Sequence, residues 1–197
     1  MKFKKWVYIL GIILFHVTWV HAQHRTQIKM EIDTTSHVLK IEQTIVYKNT
    51  SNTILNEVVL LDWNNSYSSK KSPLAERFSE EYDAKFHFAK SSDRGYTQIE
   101  SIVDKQENQL QFKYHENHLD NLVVKLNKPL HTNEEVLLIA SYKVYLPNSK
   151  FTGYGIDKNL DYNLRYWYLS PAIYNQEWYQ EQFLKAKKRN HPKQVYR

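Results

Sequence analysis

Leu39-Lys40-Ile41-Glu42-Gln43-Thr44-Ile45-Val46-Tyr47 is the stretch that decides the fold. Leu39, Ile41, Ile45 and Tyr47 fall on one parity, and Lys40, Glu42 and Thr44 fall on the other. Side chains alternate between the faces of an extended strand, so this pattern buries one face and wets the other. Asn49-Thr50-Ser51-Asn52 follows, and its short polar side chains suit a turn because they hydrogen-bond nearby backbone. Ile54 to Trp63 then resumes as a second apolar, β-branched run.

Outward from these two, the same reading predicts strands over Gln27–Ile32, Lys85–Ala89, Gln98–Val103, Gln109–Tyr114, Asn121–Leu126, Glu135–Leu146 and Leu164–Leu169. Glu135–Leu146 is apolar on both faces for much of its length, which places it centrally in a sheet. Polar segments at Lys105–Asn108 and Asn127–Asn133 read as connections. One helix interrupts the strands around residues 73–82, with Ser72 as N-cap and Pro73 as first helical residue. Leu74, Phe78 and Glu81 share one of its sides. Many short strands separated by polar turns predict an all-β fold, an antiparallel β-sandwich, over residues 23–179.

The ends differ from this body. Met1-Lys2-Phe3-Lys4-Lys5, the apolar run Trp6–Val20 and Val20-His21-Ala22 together predict an export signal over residues 1–22, cleaved after Ala22. The apolar run is shorter than the roughly 20 residues of a spanning helix, so no stable membrane span is expected after cleavage. The destination is exported, periplasmic or extracellular. Cysteine is absent, which excludes a disulfide framework and a thiolate metal site. Of 27 Lys and Arg, three lie in the first five residues and six from Lys185 onward. The remaining 18 face 21 acidic residues, so the body carries no basic footprint for nucleic acid. Residues 180–197 read as a basic tail, either a solvated, poorly ordered terminus or an arm for an anionic surface.

Self-contained catalytic signatures are missing. No His-Glu-x-x-His, no Gly-x-Ser-x-Gly and no glycine-rich phosphate loop occurs. His115-Glu116-Asn117-His118 is the one stretch with metal-site spacing, and it reads as an ordinary polar loop without a third ligand. His87 alternates with Phe86 and Phe88 and is assigned to the polar face of a strand. Glu80-Glu81 reads as a solvated helix face rather than a glycosidase pair. No catalytic residue and no metal ligand is therefore expected in this chain. Aromatics are dense, with fifteen Tyr, eight Phe and five Trp. Tyr162, Tyr166, Trp167, Tyr168, Tyr174, Trp178 and Tyr179 concentrate near the end, as a sugar or peptide platform or as an interdomain seam.

Several segments, in order, resemble the amino-terminal domain of the gluzincin metallo-aminopeptidases (peptidase family M1), in its large secreted bacterial members. They are Thr44–Ser51, Leu61–Ser68, Ser72–Glu81, Arg94–Ile99 and Leu164–Trp178. The resemblance implies a saddle-like β-sandwich that packs on a mainly helical catalytic domain and walls one side of its substrate cleft. It assigns Tyr166 and Trp167 to the cleft wall, and Tyr168, Tyr174 and Trp178 to the interdomain seam. Typical members place a glutamine that holds the substrate's free amine where this chain has Tyr166, and a proline where it has Leu169.

Zinc belongs to the parent family's catalytic half, and no cofactor is implied for this chain. The implied partners are a missing or separately encoded catalytic domain and a peptide substrate. The shift to a basic, patternless tail after Tyr179 reads as truncation. The resulting expectation is the non-catalytic front of an exported aminopeptidase-like protein. The alternative is a stand-alone exported binding module for peptide or glycan.

Overall fold

The computed structural model describes residues 24–175, 177 and 178. The predicted signal (1–22), Tyr179 and the tail (180–197) lie outside them. The alternating run becomes β2 (Val38–Lys48), with Leu39, Ile41, Gln43, Ile45 and Tyr47 all buried. β2 pairs antiparallel with β1 (His24–Asp33) on one side and β7 (Glu135–Tyr145) on the other. β7 also pairs with β4 (Tyr96–Asp104), so the run that is apolar on both faces is indeed internal.

A second antiparallel sheet is ordered β10 (Ser170–Pro171), β3 (Leu55–Leu61), β6 (Asn121–Leu130), β5 (Phe112–Tyr114). Two small hairpins, β8 (Gly155–Ile156) with β9 (Tyr162–Asn163) and β11 (Tyr174–Asn175) with β12 (Glu177–Trp178), complete the described strands. Leu39, Ile41, Ile45, Leu138, Ala140, Tyr142 and Val144 of the first sheet join Val58, Leu60, Leu122, Val124 and Leu126 of the second in one core cluster. The fold is all-β, two antiparallel sheets over a shared core, as a sandwich-like architecture requires.

The helix α1 spans Pro73–Glu80, and Ser72 Oγ accepts from Ala75 N at 3.2 Å. Leu74, Ala75 and Phe78 enter the core. Glu80 and Glu81 stay exposed, and Glu81 pairs with Arg77 at 3.0 Å. Among the described residues no helix is long and apolar enough to cross a membrane.

Three expected elements come out differently. Lys85–Ala89 is a turn, not a strand: Phe88 N–H bonds Ala84 O, and Phe86 stacks on Phe78 at 5.5 Å. His87 therefore lies on no strand face; its Nε2 meets Ser79 Oγ at 2.7 Å and Ala75 O at 3.2 Å. Five residues of period two mimic a strand, but no neighbour offers them a ladder, and the local bond to α1 prevails. Leu164–Leu169 is irregular, because Tyr166 sits at φ 52°, outside the extended region. The pairing strand begins only at Ser170. Conversely, Asn127–Leu130 continues β6 rather than forming a connection, anchored by buried Leu130 opposite Leu55.

Candidate functional site

The segment that the sequence singles out, Leu164–Trp178, is fixed in the fold by one buried amide. Gln43 is fully buried on the apolar row of β2. Its Nε2 donates to Leu169 O at 2.7 Å, and its Oε1 accepts from Leu169 N at 3.2 Å and from the Tyr142 hydroxyl. Leu169 N also reaches Tyr142 Oη at 3.2 Å. Burial pushes the Tyr142 phenol well above its ordinary range, so it acts as a neutral donor.

From the next residue on, the same segment bonds the other sheet: Ser170 and Pro171 pair with Leu61 and Leu60, and Ala172 N donates to Val59 O at 2.9 Å. Leu169–Ala172 thus ties the two sheets together through backbone groups. Sequence reading missed Gln43. The available signal was its parity, a polar residue in the middle of an apolar row.

The clamp sorts the predicted site residues. Tyr166 stands 49% exposed, while Trp167 is half-buried against the core and edge-on to Tyr168 at 5.5 Å. Tyr174 and Trp178 meet edge-to-face at 5.0 Å, and Trp178 lies 6.1 Å from Tyr47. Tyr47 in turn stacks on His24 at 4.5 Å, its directly opposite partner in the β1–β2 register. Burial raises the Tyr47 phenol to about 12 and lowers the His24 imidazole, so both rings are neutral at pH 7. These ring contacts form two groups, Trp167 with Tyr168 and Tyr174 with Trp178, Tyr47 and His24.

Beside the second group is a cleft of about 430 Å³, lined by Thr50, Ser51, Asn52, Thr53, Ile173, Tyr174 and Asn175. The loop that lines it follows the buried side chain of Asn49, whose amide donates to Thr53 O at 2.8 Å and Leu130 O at 3.0 Å. Asn49 Oδ1 accepts from Ser51 N at 3.0 Å and Ser51 Oγ at 2.7 Å.

A separate buried polar network centres on Asp62. Its carboxylate accepts from Tyr114 Oη at 2.6 Å, Thr97 Oγ1 at 2.8 Å and Asn65 N at 3.2 Å. Asn64 extends the network to Thr97 Oγ1 and accepts from Tyr154 Oη at 2.9 Å. Burial raises Asp62 to about 6 against the lowering pull of those hydrogen bonds, and nearby Asp120 adds to the rise. The network joins the end of β3 to β4 and β5, and is a structural crosslink rather than an open site.

His115 and His118 lie 5.2 Å apart in a turn, where His115 Nδ1 accepts from Asn117 N at 3.2 Å. Among the described residues no group of three or more His, Cys, Asp or Glu side chains comes together as a metal site. No protein-family model matches the chain, and no curated protein matches it in sequence.

Proposed function

We propose that this chain is the non-catalytic β-module of an exported, family M1-like zinc aminopeptidase, supplying cleft wall and packing surface to a helical catalytic domain. The supporting observation is the way the aromatic segment is held. Its backbone is clamped to both sheets at Leu169–Ala172, while Tyr166 and Ile173 stay exposed on either side. A rigidly based aromatic surface suits docking of another domain, because little ordering entropy is lost when it is covered. Zinc and the nucleophilic water belong to the catalytic half. Tyr166 then lines the cleft with a phenol, whose oxygen accepts one hydrogen bond from an ammonium in place of a glutamine's carbonyl oxygen.

The test is translation of the DNA beyond codon 197 in all three frames. A helical domain bearing His-Glu-x-x-His is expected, and its absence sinks the reading. Purified chain supplied with zinc should leave leucine p-nitroanilide intact; zinc-dependent turnover would show that the module is itself catalytic. A second reading, the exported binding module, is favoured by the cleft beside Tyr174.

A further inference from the structure

The cleft permits a more specific assignment, which rests on the binding-module reading and not on the aminopeptidase one. We propose that it binds a neutral saccharide ring. Its volume of about 430 Å³ falls in the range of small-molecule sites. Hydroxyls of Thr50, Ser51 and Thr53 and amides of Asn52 and Asn175 line it, with Tyr174 and Ile173 as the apolar part. Among the described residues no Lys, Arg, His, Asp or Glu contributes to the lining, so a charged ligand would lose hydration without meeting a counter-charge from them.

A sugar ring presents hydroxyls that both donate and accept, around an apolar C–H face. Side-chain amides and hydroxyls have the matching dual capacity, and an aromatic ring covers the C–H face. Neither Asn52 nor Asn175 uses its side-chain amide in a hydrogen bond among the described residues. The lining loop is also fixed in advance: Asn49 bonds Thr53 O and Ser51 N, and Thr53 N donates to Ser51 Oγ at 3.2 Å. Trp178 holds Tyr174 edge-on at 5.0 Å. Such preorganisation lowers the ordering cost of binding. An extended peptide would need a run of open strand edge, and β11 provides only Tyr174 and Asn175.

The experiment is two-dimensional amide NMR of the purified chain. It is titrated with N-acetylglucosamine, its β-1,4-linked dimer and maltose, to about 50 mM so that affinities weaker than millimolar register. Tetra-alanine is the comparison ligand. Saturable shifts at residues 51–53 and 173–175 with at least one sugar are expected. Asn52→Ala and Tyr174→Ala should each weaken that response about tenfold or more. Asn52 is exposed, so its variant keeps the fold even if Tyr174→Ala disturbs Trp178. Silence with all three sugars overturns the proposal, as does a sugar response unchanged in both variants. Shifts with tetra-alanine alone also overturn it, while leaving a peptide-binding module standing.

Discussion

Replacing Asp62 by asparagine should remove a specific part of the pH dependence of stability. Asp62 is 3% exposed, and burial raises it from 3.8 to about 6. Below pH 3.8 the group is protonated in the folded and the unfolded chain, and it imposes no penalty. Between 3.8 and about 6 the unfolded chain ionises first, so the penalty of burying the charge accumulates. Above about 6 the penalty is complete. At 1.36 kcal/mol for each pH unit, it comes to about 3 kcal/mol.

The carboxamide introduced by Asp62→Asn keeps an acceptor for Thr97 Oγ1 and Asn65 N, while its amide nitrogen meets Tyr114 Oη, which turns from donor to acceptor. It has no charge to bury. Urea unfolding of wild type and variant from pH 4 to 8 measures the difference. Turn carboxylates such as Asp33 and Asp104 are held low by hydrogen bonds and act in the opposite sense, but they are common to both proteins and cancel. The variant should gain on the wild type by about 2–3 kcal/mol between pH 4 and pH 7. Parallel curves would refute the argument.

Gln43→Ala leaves the C=O of Leu169 and the proton of the Tyr142 hydroxyl without their buried partner, while Leu169 N–H keeps only Tyr142 Oη. A loss of about 3 kcal/mol is expected, with amide exchange at 169–172 accelerating before that of β2. Equal protection across both would contradict the clamp. Gly155→Ala should cost more than about 2 kcal/mol, since an added Cβ would lie 1.9 Å from Pro147 O. Gly153→Ala, at φ 79° with open space around it, should cost only about 1 kcal/mol. Melting curves of the pair that coincide would contradict this contrast. Ser72→Ala removes the N-cap of α1 and should cost about 1 kcal/mol in a denaturant titration; an unchanged midpoint would deny the cap its role.

β2 reads correctly because its long alternation specifies a half-buried strand almost independently of its surroundings, and β7 because it is apolar on both faces. The six-residue runs Gln27–Ile32, Gln98–Val103 and Asn121–Leu126 also fall on strands. Lys85–Ala89 and Leu164–Leu169 are aromatic-rich, and packing decided them: Phe86 against Phe78 in the first, and the Gln43 clamp at Leu169 in the second. The clamp spans 126 residues, a separation that local pattern does not report. Asp62 illustrates the same limit, because an acid ending an apolar run reads as solvent-facing until Thr97 and Tyr114 come to it through space. The aromatic concentration at 162–178 was legible; its division into separate contact groups depended on His24, His37 and Tyr47, far back in the chain.

The two functional readings draw on neighbouring parts of one segment and share residues. Docking of a second domain covers the seam residues Tyr168, Tyr174 and Trp178 and leaves Tyr166 and Trp167 to the substrate cleft, whereas the saccharide cleft depends on Asn52, Tyr174 and Asn175. Ile173 also borders the cleft, so a domain seated there would narrow its mouth. Asn52 belongs to a different element, the loop after β2, and contributes nothing to the Leu164–Trp178 segment. Changes at Asn52 therefore act on ligand binding alone, whereas changes at Tyr174 act on both readings. Both depend on Gln43, since the clamp at Leu169 carries the segment from which both surfaces are made.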